Sequence, residues 1–378
     1  MNSLSVIVYV VTSAMSANTF GLHQVKALVA QGYQVHLICG DGKIRNELNN
    51  YCVKIHTLSQ LRRNVALWDD LITLMKLFFL LKSIRPNAII YSTPKAALLS
   101  AIASYLSGIK VRIYQIWGLR WQNDQGLRLK LFIFLERMVL SLSTNSTSVS
   151  ESIKQILKTK FISNNVIVLG SGSTAGVDNN YFFLRQNANQ ANKHFKIGYA
   201  GRITSEKGIE KLLDLFNSIS SQIQGLELEL IGDIDGSREY ILRFRDSIEL
   251  HSNIKWVQGI EQQELGKKMQ NWDLQVFLSE REGLGNVILE AGACGVPTFC
   301  WDIAGTVDAF PSYMKKFLIE YGDSDSMRNA IIEYIKQPLS LAERAKLSQW
   351  YIQHFDQSKV LQNFVNYINE LLGELIEK

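Results

Sequence analysis

Residues 195–208 read FKIGYAGRITSEKG, an apolar run of strand-forming residues that ends at Gly201 and gives way to a polar turn carrying Arg202 and Lys207. A helical pattern from Ile209 to Ile223 follows, then LELELIG (226–232), then a second helical pattern from Arg238 to Leu250. Short apolar runs alternating with helix-period segments mark a parallel sheet covered by helices. The rhythm continues through IKWVQG (254–259), a helix over 262–271, LQVFLS (274–279), a glycine loop, a helix over 287–294 and PTFCW (297–301). Helical patterns at 324–336, 341–354 and 358–376 close the chain.

Working back from residue 195, the same alternation fills the first half. SVIVYVV (5–11), a helix over 20–30, QVHLIC (34–39), KIHTL (54–58) and a long helix over 66–83 come first. AIIYST (88–93), a helix over 95–107, VRIYQI (111–116), a helix over 127–142, STSVS (146–150) and a helix from Glu151 complete the series. Between the halves, VLGSGSTAGVDNNYF (168–182) and the polar run RQNANQANKH (185–194) have the glycine and small polar content of a linker. The expected organisation is α/β, with two Rossmann-like doubly wound domains, 1–175 and 190–355, facing a central cleft. The C-terminal helix, 356–378, is free to pack back on the first of them.

Composition narrows the class. Of 378 residues 47% are hydrophobic, 20% charged and only 5 proline, which fits a chain folded throughout. Cys39, Cys52, Cys294 and Cys300 form no CxxC pair and have no histidines at zinc spacing, so they read as reduced core thiols. The apolar N-terminus lacks the basic flank of a secretion signal, and the expected site of action is the cytoplasm. No run reaches the roughly 18 apolar residues of a spanning helix. The candidates over 71–81 and 127–142 contain Lys76 and Arg128, Lys130, Glu136 and Arg137, and read as amphipathic helices.

Charge divides unevenly. Residues 1–178 hold 19 Lys and Arg against 8 Asp and Glu, whereas the remainder holds 21 against 27. A basic first half calls for an anionic partner, either a phosphorylated substrate or the inner face of a membrane, although a solvated basic face accounts for the same charges. Arg62, Arg63, Lys76, Lys82, Arg120, Arg128 and Lys130 are the candidates for such a contact, with apolar faces containing Leu71, Phe78, Leu131 and Leu135 beside them.

Two segments carry chemistry. In GRITSEKG (201–208), Arg202 and Lys207 flank a strand-to-helix turn, where two cations and helix-terminal amides suit a diphosphate that gains charge as a bond breaks. In SEREGLGNVILEAGACGVP (279–297), Glu282 opens a glycine loop and Glu290 follows eight positions later on a helix. Gly283 and Gly285 let the backbone approach a ligand, and the amides of Leu284, Gly285 and Asn286 can face a phosphate or sugar oxygen. Glu290, with two carboxylate oxygens, suits the paired hydroxyls of a ribose. Asp233 and Asp235 form a DxD pair that reads as a turn with helix capping, and no metal site is expected.

EGLGNVILE (282–290) resembles the E-x7-E signature of retaining GT-B glycosyltransferases of the large family-four group, and GRITSEKG resembles their Arg/Lys element. YSTPKAALLSAIASYLSGIKVRIYQIWGLRW (91–121) and GSGSTAGVD (170–178) are similar to the bacterial branch that builds capsule, O-antigen or N-glycan precursors on a polyprenyl diphosphate. The resemblance implies a hexosyl- or N-acetylhexosaminyltransferase taking a nucleotide sugar, UDP favoured, to a lipid-diphosphate-linked saccharide. It assigns the diphosphate to Arg202 and Lys207, the donor sugar to Glu282 and the ribose to Glu290. No cofactor or metal is implied, and the front-face mechanism leaves the acceptor proton with the departing phosphate. Many relatives carry a double-glycine loop after the first strand; TSAMSANTFGLHQ (12–24) has only Gly21, followed by His23. Lys95 and Arg120, each just after a strand, are better placed for an anionic acceptor. A nucleotide-sugar epimerase of the same fold and a basic nucleic-acid-binding protein are the competing classes, the latter without any recognition motif.

Overall fold

The computed structural model describes all residues except 1–4, 46–47, 49–50, 63, 65, 162–164, 186–193, 250 and 374–378. Arg63 and most of the polar run 185–194 therefore lie outside the described residues. The chain divides into two compact units, one of residues 1–175 with 358–378 and the other of residues 176–357.

The first unit is built on a seven-stranded parallel sheet. Its strands are β1 (Val6–Val10), β2 (Gln34–Cys39), β3 (Lys54–Thr57), β4 (Ala88–Ser92), β5 (Val111–Ile116), β6 (Asn145–Ser148) and β7 (Val166–Val168), in the order β3-β2-β1-β4-β5-β6-β7. Central β1 registers Val8 against His36 on one side and Ile89 on the other. Its residues are buried on both faces, as expected of a Val/Ile run inside a parallel sheet. The helices are α1 (Leu22–Ala30), α2 (Leu67–Ile84), α3 (Pro94–Leu106), α4 (Gly126–Leu142) and α5 (Glu151–Phe161). Packing of α2 on α3 and of α3 on α4 makes one layer of these three.

Two local departures from expectation have simple causes. The chain turns helical before Phe20, at Ala14, because the Ser13 hydroxyl accepts the Ser16 amide at 3.2 Å. It then widens into a π turn over Ala17–Gly21, with Gly21 fitted against the Tyr9 ring, where a Cβ would stand 3.2 Å away. Strand β7, within the expected linker, extends the sheet edge by pairing with β6.

The second unit carries a six-stranded parallel sheet in the order β10-β9-β8-β11-β12-β13. These strands are β8 (Phe195–Ala200), β9 (Leu226–Ile231), β10 (Ile254–Val257), β11 (Leu274–Phe277), β12 (Thr298–Asp302) and β13 (Leu318–Glu320). Around them lie α6 (Ile209–Ser220), α7 (Arg238–Glu249), α8 (Gln262–Met269), α9 (Asn286–Ala293), α10 (Ser324–Lys336) and α11 (Leu341–Phe355). Packing is tight: a Cβ on Gly198 would fall 1.9 Å from the buried Trp272 ring. The Trp272 indole in turn donates to Glu229 at 2.7 Å.

After α11 the chain returns to the first unit as α12 (Gln357–Gly373). Phe364, Val365, Ile368 and Leu372 of α12 enter the same core as Ile7, Tyr9, Val25 and Ile90, and Tyr33 donates to Asn369 at 2.5 Å. The outgoing and returning segments run side by side, Val177 donating to Phe355 at 2.7 Å and Gln357 to Val177 at 2.9 Å.

Candidate functional site

In the second unit the charged residues gather at the carboxyl ends of β8, β9 and β11, where ligands bind in open α/β sheets. Beyond β8, Gly201 adopts φ +146° and its carbonyl meets Gly232 so closely that a Cβ there would lie 1.8 Å away. The loops then zip together: Ile203 donates to Asp233 O at 2.9 Å and Asp235 to Ile203 O at 3.1 Å. A helical turn over Ser205–Lys207 and Gly208, in the left-handed region at φ +71°, lead into α6. Gly208 is pressed against Leu278 O, where a Cβ would sit 2.2 Å away, and this locks the start of α6 to the loop after β11.

That lock sets the charges. Lys207 Nζ meets Glu282 Oε1 at 2.6 Å, with side chains only 17% and 13% exposed, and lies 5.9 Å from the Phe277 ring centroid. Glu206 joins two arginines, accepting from Arg202 Nη2 at 2.7 Å and from Arg281 Nη2 at 2.9 Å. Asp235 takes the other arm of Arg202, Nη1 to Oδ2, at 3.1 Å. Burial pushes the Glu206 carboxyl up, but Arg202, Arg281 and Lys207 together outweigh it and hold it below the usual carboxylate range. Burial, reinforced by the Glu282 charge, pushes the Tyr199 phenol well up, so its hydroxyl stays protonated and donates to Arg202 O at 2.8 Å.

The glycine loop is held from behind, since a Cβ on Gly305 would lie 2.6 Å from Glu282 O. Leu284 is buried, and Gly285, at φ +82°, caps α9 so that Asn286 begins it. Glu290 stands two turns up α9. Part of its surface reaches solvent, but its carboxyl is crowded by protein, and burial alone pushes it up to about 8. A carboxyl in that state gains from any ligand hydroxyls that supply hydrogen bonds to its ionised form.

The structure thus brings Arg202, Lys207 and Glu282 to one place, with Glu290 on the helix that the glycine loop opens. It adds Arg281, Glu206 and Asp235, none of which the sequence reading gave a role in the site. The turn-and-capping reading of the DxD pair is corrected in part: Ser237 Oγ accepts the Tyr240 amide at 3.2 Å at the start of α7, and Asp233 accepts the Gly259 amide at 2.8 Å. Asp235 is a partner of Arg202 because the zipped loops place it there. A charged alternation, SEK at 205–207 and SERE at 279–282, was the only sequence signal for the Glu206 and Arg281 pairing.

The first unit places its candidates separately. Gly21 is buried over Tyr9, and His23 lies on the first turn of α1. Lys95, on the first turn of α3, meets Asp70 of α2 at 2.7 Å and also donates to Asn64 O. Arg120 lies 5.7 Å from the Phe132 ring centroid. Next to Lys95 is Thr93, which sequence reading passed over. It adopts φ +65°, a conformation uncommon for a β-branched residue, and its hydroxyl lies 2.7 Å from that of Thr12.

Comparison with known proteins agrees with this geometry. Residues 7–150 match the glycosyl transferase 4-like family and residues 180–349 match the glycosyl transferases group 1. The capsular polysaccharide biosynthesis glycosyltransferase CapM of Staphylococcus aureus is 30% identical over 320 residues, covering 82% of this chain and 83% of that protein. UDP-Gal:alpha-D-GlcNAc-diphosphoundecaprenol alpha-1,3-galactosyltransferase of Escherichia coli is 21% identical over 82% of each chain. Among solved structures, Anabaena HepE in complex with UDP and glucose superposes with a TM-score of 0.76 at 17% identity, covering 97% of this chain and 100% of that one. The paired parallel sheets are those of the GT-B fold, and the chain belongs to the glycosyltransferases, a family-4-like N-terminal domain followed by a group 1 C-terminal domain.

Proposed function

We propose that this glycosyltransferase moves a hexosyl or N-acetylhexosaminyl group, with retention, from a UDP-sugar to a polyprenyl-diphosphate-linked saccharide during surface polysaccharide assembly. The observation that carries the reading is the convergence of Arg202, Lys207 and Arg281 on the carboxylates of Glu206 and Glu282. Such a cluster already holds anionic oxygens and can exchange its own carboxylates for those of a diphosphate. The printed names of relatives support the substrate classes: UDP-Gal and a diphosphoundecaprenol acceptor for the Escherichia coli enzyme, and bound UDP for HepE.

In this reading Arg202 and Lys207 hold the donor diphosphate, with Gly283, Leu284, Gly285 and Asn286 offering amides to it and to the sugar. Glu282 takes donor-sugar hydroxyls and Glu290 the ribose. The bond from the anomeric carbon to the phosphate oxygen breaks while the acceptor oxygen bonds on the same face, and the phosphate takes the acceptor proton. Lys95 exchanges Asp70 for the acceptor's diphosphate, with Gly21, His23 and Arg120 on the acceptor side. The positive charge that a divalent ion would supply comes from the cations, and Asp233 and Asp235 are engaged with Gly259 and Arg202. A screen of nucleotide release from UDP-, GDP- and ADP-sugars, with and without a polyprenyl-diphosphate saccharide, tests the proposal. Acceptor-dependent release from the UDP-sugar, undiminished by EDTA, is expected. Loss in EDTA with recovery in manganese overturns the metal-free mechanism, and a new nucleotide sugar made from donor alone makes the enzyme an epimerase.

We also propose that the basic N-terminal half rests on the inner face of the membrane. Among the described residues no helix is long and apolar enough to cross one. Arg62, Lys76, Lys82, Arg120, Arg128 and Lys130 are all exposed, and basic residues near an anionic leaflet contribute about 1 kcal/mol each. Sedimentation with vesicles should rise with phosphatidylglycerol content and fall with salt, and charge reversal of Arg128 and Lys130 should weaken it. Binding indifferent to both anionic lipid and salt removes this part of the reading.

A further inference from the structure

Helix α2 has two apolar faces and only one of them is covered. Thr73, Leu77 and Leu81, four residues apart, are buried against the first unit. A second stripe at helical spacing, Trp68, Leu71, Ile72, Met75 and Phe79, points outward, with Trp68 79% and Phe79 61% exposed. A helix apolar all round is normally enclosed, so the second stripe lacks its partner. It does not end in a flat surface. With His56, Thr57 and Leu58 at the end of β3, the stripe lines an open groove of about 760 Å³. Leu71 was expected on an apolar insertion face together with Phe78, Leu131 and Leu135; of these, Leu71 and Leu131 are exposed, whereas Phe78 and Leu135 are half-buried.

Three further observations define the occupant. From Leu71 to Ile84 the helix carries Lys76 and Lys82 and no carboxylate, so what lies along it is apolar with an anionic part. The His56 imidazole, hydrogen-bonded to His36 at 3.0 Å, is pushed down by burial and by Lys54, which keeps that wall uncharged at neutral pH. The head of the groove lies at the carboxyl end of β3 and at the first turn of α2, where Asp70 binds Lys95. An apolar channel that begins beside a lysine at the ligand-binding edge of the sheet matches a single hydrocarbon chain ending in a phosphate group.

We propose that this groove binds the prenyl chain of an isoprenoid diphosphate, with its diphosphate at Lys95; the assignment rests on the lipid-diphosphate acceptor named above. The groove then selects the lipid carrier through its first isoprene units, separately from whatever reads the saccharide.

Trp68 supplies the test, because it lines the groove and is mostly exposed without ligand. Geranylgeranyl diphosphate titrated into the full chain should shift tryptophan emission to the blue, and Trp68→Phe should remove that component. Ile72→Gln with Met75→Gln, both at exposed positions, should weaken the response about tenfold or more. Inorganic diphosphate should not elicit it. UDP binding, followed by calorimetry on the same samples, should be unchanged in these variants. A Trp68 that ignores geranylgeranyl diphosphate in protein that binds UDP normally overturns the groove and leaves the donor site standing. A Trp68 response without UDP binding overturns the donor assignment and supports the groove. An equal shift from phosphatidylglycerol vesicles free of prenyl lipid also overturns the proposal, making the stripe a leaflet-insertion face.

Discussion

Lys207→Ala is expected to lower kcat/KM by about 10²–10³-fold, the range that follows loss of one preorganised donor to developing negative charge. Lys207 is suited to that role because its ammonium is fixed by Glu282 at 2.6 Å in a mostly enclosed position. Charge on the departing diphosphate rises as the glycosidic bond lengthens, so the loss should fall on kcat more than on KM. The substitution also leaves Glu282 without its partner, and removing one member of an enclosed ion pair is strongly unfavourable. Lys207→Arg keeps the charge but not the shape and should recover part of the rate. Steady-state nucleotide release from the donor identified in the screen, together with thermal unfolding to show that the variant is folded, measures the effect. A variant within a few-fold of the parent would remove Lys207 from the transition state.

The two glutamates of the glycine loop and α9 should separate by kinetic signature. Glu282→Gln is expected chiefly to lower turnover, since its carboxylate is placed for the sugar on which positive charge develops. Glu290→Gln is expected chiefly to weaken UDP binding, by about 10–100-fold, as for loss of a charged hydrogen-bond acceptor. A pH dependence accompanies it. Burial raises the Glu290 carboxyl to about 8, so at neutral pH the unliganded protein holds it mostly protonated. Ribose hydroxyls donate to the ionised form, so affinity for UDP should climb as pH rises towards about 8 and then level off, and Glu290→Gln should flatten that slope. The stability sign is opposite. The native state binds this proton more tightly than the unfolded chain, so between the ordinary carboxylate range and about 8 the contribution to stability falls as pH rises. Calorimetric UDP titrations over that interval check the slope, and an unchanged slope in Glu290→Gln would place the ribose elsewhere.

Much of the fold was legible because buried parallel strands advertise themselves. SVIVYVV, AIIYST and LQVFLS are unbroken apolar runs, and helix-period segments separate them. Strands β7 and β13 escaped because three residues carry no period and pair only once a neighbour is in place. In the site, Arg202, Lys207, Glu282 and Glu290 announced themselves through spacing around glycines. Asp235 did not, because its partnership with Arg202 depends on the loops after β8 and β9 being drawn together at Gly201 and Gly232. Glu206 and Arg281 lie 75 positions apart, beyond the reach of any local pattern. For α2, the sequence showed an amphipathic segment but not which of its two apolar faces would find the core.

The return of α12 to the first unit also affects the order of synthesis. Ile7, Tyr9 and Val25 are among the first residues to leave the ribosome, yet Phe364, Val365 and Ile368, which close over the same core, are among the last. Domains generally fold as they emerge, the N-terminal one first. Here the C-terminal domain has all of its chain before the N-terminal domain does, and the N-terminal domain must wait, with part of its interior uncovered, until translation is almost finished. A nascent chain halted before residue 358 would carry an unsealed apolar face, which makes the last helix both the closing piece of the fold and a point at which chaperones would meet it.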